Sequence, residues 1–498
     1  MTDLLSATVA TPDSAPALNV RKAKVGLGLK LGYSAGQLVE GVINNALSVF
    51  LLFYATAVCG LSGGLAGAAL SVGMIVDAVM DPLIGSLSDG WRSRLGRRLP
   101  FMMCGLAPIA ITFVLIFSLP HGLGQLPLFL WMAALSIILR ISLSLFILPY
   151  QAIGAELSDD YVERSEIMAW RWAVGQTGAL AAVVLGFGLF FTGKAGLSAR
   201  AAYGPFALSL AAIFVAGGLL ALRVVYLTRD RQHPPAVSDG RFLSSLVSEL
   251  GEIFRNRSFL ILFAGALLFF IALGVFAALG LHANTFFWRL NATQAQLVTL
   301  GLFGGLLAGA PLAGPFLRRF EKRTILAAGM LGLMVAQGGP ATLRLTGLLP
   351  LAGEPLTLVL AGVNFIGGGL MAAAAIAFSS MMADAADEHE YLFGARREGL
   401  FFAGWAFASK AAGGAGALIA GLVLQVIHFP TDLAQHGGTA AALPASMVNL
   451  LGLFYGPGAA LLTLAAVVVN QLYRLDRQAH AAVLVALQAR ASLPQGAS

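Results

Sequence analysis

Twelve apolar stretches, each long enough to cross a bilayer as a helix, recur along this chain of 498 residues. They fall at 31–58, 64–88, 99–119, 126–153, 168–192, 204–227, 258–286, 294–317, 322–343, 355–382, 399–427 and 447–471. About twenty apolar residues in helical form span the hydrocarbon core. Composition agrees, with 58% hydrophobic and 11% charged residues and a mean hydropathy of +0.82, more apolar sequence than a soluble fold needs. The expected fold class is an all-α membrane protein of twelve transmembrane helices.

Lys and Arg are retained in cytoplasmic loops, so their placement orients the spans. Arg21, Lys22, Lys24 and Lys30 precede the first span, and Arg92, Arg94, Arg97 and Arg98 follow the second. Arg223, Arg229, Arg231, Arg241, Arg255 and Arg257 lie between the sixth and seventh. Arg318, Arg319, Lys322 and Arg323, then Arg396 and Arg397, then Arg474 and Arg477 fall on the same side, against Lys194, Arg200, Arg289 and Arg344 on the other. Both termini are expected in the cytoplasm, as in a multi-pass protein of the cell membrane. The asymmetry and the attraction of anionic head groups account for the net charge of +7, so no nucleic-acid partner is expected. The first 25 residues are polar and carry no apolar core ahead of a cleavage site, so no removable signal peptide is expected. Cys59 and Cys104 sit near opposite ends of neighbouring spans, and no metal-ligand spacing appears, so no disulfide, metal or cofactor is expected.

The spans divide into a tail at 1–30, a six-helix bundle at 31–227, a polar central loop at 228–257, a second six-helix bundle at 258–473, and a tail at 474–498. A weak internal echo supports the division. GSLSDGWRSRLGRRLPF after the second span resembles GPFLRRFEKRTIL after the eighth. Repeats of this kind place a cavity near the midplane between the halves.

The second span holds two carboxylates, Asp77 and Asp81. A spacing of four puts both on one helical face. An ionised carboxylate in hydrocarbon costs on the order of a few kcal/mol, so both must face a protein interior, a water path or a counter-charge. Two acids on one face can share a cation or a proton, and ion-coupled transport follows as the first hypothesis.

The block DAVMDPLIGSLSDGWRSRLGRRLPF resembles the helix 2 to helix 3 signature of the glycoside-pentoside-hexuronide cation symporters, a branch of the major facilitator superfamily. PYQAIGAELSDDYVERSEIMAWR, MMADAADEHEYLFGARREG and FASKAAGGAG are similar to three further blocks of that family, in the same order. The resemblance implies the major facilitator fold of two six-helix bundles working as a functional monomer. It implies a coupling site of Asp77, Asp81 and the helix 11 lysine Lys410, with Ser144 in the same set. Arg171 matches the helix 5 arginine. The resemblance also implies a cytoplasmic gate of Asp384, Asp387, Glu390 and Arg396 with Arg94, Arg97, Arg98 and Arg164, joined across the halves in the outward-facing state. The bland alternatives are solvated loop charges for the gate, and for the acids a buried ion pair with Lys410 that only fixes helix packing. Two acids facing one lysine leave a net negative charge at depth, which calls for a further positive species.

Departures from the family pattern refine the expectation. Met80 stands between the acids where sodium-using members carry Asn, and a thioether is a poor sodium ligand, so the coupling ion is expected to be H⁺ rather than Na⁺. Ile147 and Gln151 occupy the positions of the galactoside-binding acid and aromatic residue, and the helix 1 acid is displaced to Glu40. Arg140, at midplane depth, must be paired. It either neutralises Asp77 or Asp81, or clamps a substrate carboxylate bidentately, which would favour an acidic sugar such as a hexuronide. Gln151, Glu40, Tyr33, Asn44, Trp170 and Arg171 complete the expected substrate set, with Gln37, Asn45, Trp172 and Gln176 as further cavity candidates. The expected function is proton-coupled symport of a small-molecule sugar or glycoside across the lipid bilayer. A lysolipid carrier of the same branch and a non-transporting membrane receptor are the alternatives, and no constellation for an enzyme is visible.

Overall fold

The computed structural model describes residues 25–158, 160–192, 196–231, 251–394, 398–431, 433 and 443–491, and every regular element among them is helical. The first half contains α1 (Leu27–Ser34), α2 (Gln37–Ala46), α3 (Gly63–Gly90), α4 (Leu99–Ile116), α5 (Gln125–Glu156), α6 (Tyr161–Leu185) and α7 (Arg200–Leu227). The second contains α8 (Arg257–His282), α9 (Ala292–Arg319), α10 (Lys322–Leu345), α11 (Gly353–Phe393), α12 (Glu398–Val426), α13 (Ala445–Leu453) and α14 (Ala459–Asn470). A further helix, α15 (Arg477–Ala491), follows the last span.

Eleven helices among the described residues are long and apolar enough to span a membrane. The remaining expected span is the first, and it is interrupted. Tyr33 and Tyr150 cause the break: each hydroxyl donates to the other residue's backbone carbonyl, at 2.7 and 2.9 Å, and the rings stack with centroids 4.6 Å apart. Gly36 permits this approach, since a Cβ there would lie 2.6 Å from the Tyr150 ring. The span then resumes as α2 and closes in two wide turns, Leu47–Leu51 and Tyr54–Val58.

Two further boundaries differ from expectation. The span expected at 355–382 continues as one helix to Phe393, 41 residues in all. At 1.5 Å per residue that is about 61 Å, roughly twice the hydrocarbon thickness. Asp384, Asp387 and Glu390 therefore sit on a rigid helical extension rather than in a loop. The tail expected after 473 contains α15, which docks on that extension: His480 Nε2 lies 3.0 Å from Asp387 Oδ2, and Arg490 donates to the Tyr391 carbonyl at 2.7 Å.

The halves meet along α3 and α12. At the face opposite the basic loops the approach is backbone to backbone, because Gly63 and Gly67 of α3 face Gly421 of α12. Thr56 Oγ1 and His282 Nε2, 2.8 Å apart, join the halves at the same end. A Cβ on Gly421 would fall 2.3 Å from the Gly63 carbonyl, so this face closes only while residue 421 lacks a side chain. Gly421→Leu, with Cys104 replaced by Ser, is expected to wedge it open without unfolding either bundle. Labelling of half-buried Cys59 by a membrane-impermeant maleimide should then rise several-fold, and unchanged labelling would mean that the halves do not part there.

Candidate coupling and substrate site

Pro82 sits inside α3 and cannot donate to the Ala78 carbonyl. The helix thus carries a backbone acceptor without its usual donor between its two acids. Asp77 is buried and Asp81 is partly exposed. From the neighbouring α5, Ser144 Oγ lies 2.7 Å from Asp77 Oδ1 and 2.7 Å from Asp81 Oδ1. From the other half, Lys410 Nζ on α12 lies 3.0 Å from Asp77 Oδ2 and also contacts Asp81 Oδ2. Arg140, one helical turn from Ser144, places Nη1 3.8 Å from Asp77 Oδ2 and donates to Asn44 Oδ1 at 3.2 Å.

This arrangement supplies the positive charge that the sequence left open. Two carboxylates face two cations, one from each half of the molecule. A hydroxyl carries a single proton, so Ser144 can donate to only one of its two carboxylate neighbours. Ser144 thus stands within hydrogen-bond reach of both acids and can donate to either one.

Beside this centre lies a cavity of about 370 Å³ lined by Gln37, Glu40, Asn44, Asn45, Trp172 and Gln176, among others, with Phe303 from the second half. Glu40 accepts from Gln37 at 2.6 Å and from Gln151 at 3.3 Å. Asn44 belongs to both regions, since it lines the cavity and holds Arg140. Of the expected substrate residues only Glu40 and Asn44 line this cavity; Arg140 and Gln151 reach it through them, and three stand elsewhere. Tyr33 is fully buried against Tyr150, Arg171 lies beside the Tyr33 hydroxyl, and exposed Trp170 is not on the cavity wall, which takes Trp172 from the same helix instead.

Among the described residues, Arg97, Arg98 and Asp384 of the expected gate meet partners in their own half. Arg97 and Arg98 meet Glu156 at the end of α5, and Arg98 also meets Asp89 at 2.8 Å. Lys322 meets Asp384 at 2.6 Å, and His480 Nε2 lies 3.6 Å from Asp384. Arg164 donates to the Ser158 carbonyl at 3.3 Å, Arg94 is exposed, Glu390 is half-buried, and Arg396 lies outside the described residues. Sequence reasoning missed Glu156 and Lys322 as partners. The signal for them was the internal echo: in each half a basic residue opening the third helix pairs with an acid toward the end of the fourth.

A twelve-span helical architecture of two bundles, with paired acids and a lysine at its centre, defines a major facilitator type of transporter. The family model described as "MFS/sugar transport protein" matches residues 32–477, and the chain belongs to that family. It is 37% identical over 161 residues to the uncharacterized symporter sll1374 of Synechocystis sp., a match spanning 31% of this chain and 30% of that protein. It is 24% identical over 448 residues to the isoprimeverose transporter of Lactiplantibacillus pentosus, covering 88% of each. Among solved structures, a mutant form of the nucleoside transporter NupG superposes with a TM-score of 0.57 at 17% identity, over 89% of this chain and 99% of that one, and so shares its fold.

The pairs around Glu156 differ sharply in burial, and their energetics should differ with it. Arg97 and Arg98 are buried, whereas the side chain of Asp89 is half exposed. Glu156→Ala should destabilise the purified protein by about 3–5 kcal/mol, because it strands the buried Arg97 guanidinium and leaves buried Arg98 only the half-exposed Asp89. Asp89→Ala should cost less than about 1 kcal/mol, as an exposed pair does. Thermal unfolding of the two variants side by side checks the ranking, and equal effects would contradict it.

Proposed function

We propose that this protein is a proton-coupled symporter that carries a sugar or glycoside by alternating access, with both termini in the cytoplasm. The observation that carries the reading is the single Ser144 hydroxyl held 2.7 Å from a carboxylate oxygen of both Asp77 and Asp81. The Met80 side chain offers no oxygen at the place between them, so a sodium shell would lack the ligand that Asn supplies there, whereas a proton needs no such shell. Lys410 of the second half and an arriving proton compete for Asp81. While Asp81 is ionised, the ion pair ties α12 to α3. Protonation removes that pair and leaves Lys410 only Asp77, which loosens the contact between the halves as they rock about the substrate cavity.

The cavity chemistry favours a neutral, hydroxyl-rich ligand. Amides from Gln37, Asn44, Asn45 and Gln176 offer donors and acceptors, Glu40 accepts from hydroxyls, and Trp172 offers an apolar face to a sugar ring. Arg140 is already engaged by Asp77 and Asn44, which supports its role as the link between coupling site and cavity rather than as a carboxylate clamp. The name of the isoprimeverose transporter is in line with a sugar as cargo.

Uptake in vesicles tests the proposal. An imposed proton gradient should drive accumulation without sodium, and Asp81→Asn should abolish accumulation while leaving counterflow. Strict sodium dependence with no response to a pH gradient would overturn it. Arg140→Lys should keep the affinity for a neutral sugar within a few-fold and move the pH dependence of uptake. A loss of about 1.5–3 kcal/mol confined to uronates, the range for a charge-assisted hydrogen bond, would instead identify Arg140 as a clamp for an acidic sugar.

A further inference from the structure

On the outer surface of the second half, α9, α10 and α11 enclose a trough of about 440 Å³ that plays no part in the coupling site or the substrate cavity. Its floor exists because glycines let two backbones touch: a Cβ on Gly305 would lie 1.9 Å from the Phe365 carbonyl, and one on Gly309 would lie 2.4 Å from the Gly369 carbonyl. Leu312, Phe316 and Ile366 form walls that are each more than half exposed. Thr324 is the one polar side chain lining it among the described residues. From Gly305 to Phe320 the trough follows α9 for about 22 Å at the helical rise. A single leaflet contributes about 15 Å of hydrocarbon, so the trough runs the depth of the leaflet on the side of the basic loops.

The mouth at Phe320 is basic. The Arg319 guanidinium carbon lies 6.0 Å from the centroid of the Phe320 ring, which itself lines the trough, and Arg318 and Arg319 are both exposed. The other charges of that turn are committed: Lys322 to Asp384, Arg323 to the Tyr473 carbonyl, and Glu321 to Arg477. One uncommitted guanidinium group, that of Arg319, thus stands at head-group level above an apolar slot of leaflet depth, whereas Arg318 falls on the opposite side of α9. We propose that this trough binds one acyl chain of an anionic phospholipid, with the head-group phosphate held by Arg319. Arginine suits that contact because its planar donors match phosphate oxygens. The chain fills the space between α9 and α11 that their glycine contact leaves open.

Native mass spectrometry of the full-length protein, exchanged into an equimolar mixture of phosphatidylglycerol and phosphatidylcholine, tests the site. The parent should retain phosphatidylglycerol with roughly tenfold preference. The variant Arg319→Gln should lose the preference while still retaining lipid. Ala308→Phe, which fills the slot from its exposed side, should lose tightly held lipid of both kinds, and Ala328→Phe serves the same purpose if that variant fails to fold. Free glycerol phosphate should not displace the bound lipid. Equal retention of the two lipids by the parent, unchanged retention in the variants, displacement by glycerol phosphate, or occupation of the face by a second copy of the chain would each overturn the assignment.

Discussion

Two carboxylates on one face of a membrane helix are tolerable here only because Lys410 comes from the opposite half to meet them. The contact joins α12 to α3 at the point where the halves would otherwise present charge to an apolar slot. Arg140 completes the balance from within the first half, and through Asn44 it ties the charged centre to the wall of the polar cavity. Anything that neutralises Asp81 therefore weakens the attraction between the halves beside the place where a substrate would sit. Coupling between an ion and a conformational change needs this kind of shared element, one whose equilibrium both ligands bias.

The two halves reuse one solution at their basic ends. In the first, Arg97 and Arg98 at the start of α4 hold Glu156 at the end of α5; in the second, Lys322 at the start of α10 holds Asp384 on the extended α11. Each pair braces its own bundle. With the opposite face sealed by Gly63, Gly67 and Gly421, and by His282 on Thr56, the halves in this structure are joined at one end and internally braced at the other. Rigid bundles that contact through small residues and a few charges suit a rocking motion better than a deformable core would.

The fold class was legible in the sequence because transmembrane helices announce themselves by length and hydropathy. What stayed hidden depends on partners distant in sequence. The break after Ser34 comes from Tyr150, more than a hundred positions away, and hydropathy treats Tyr33 as an ordinary member of the span. The extension of α11 to Phe393 is polar, so a hydropathy window ends at 382 although nothing stops the helix until Gly394 adopts a left-handed conformation. In the site, Asp77 and Asp81 stood out because charge in hydrocarbon is costly. Trp170 and Trp172 could not be told apart, since the choice turns on which way α6 is rotated, a matter of packing. The partners of Arg140 were likewise open, because a midplane cation has several possible counter-charges until the helices are assembled.

Proton coupling as proposed requires the Asp77, Ser144 and Asp81 trio to hold a proton that Lys410 can displace. Infrared titration of the purified protein, comparing the parent with Asp81→Asn, measures this directly through the stretching band of a buried carboxylic acid. The parent should show a band that is lost in the variant, grows as pH falls and does not respond to sodium. Absence of any such difference between parent and variant, or a band that disappears when sodium is added, would contradict it.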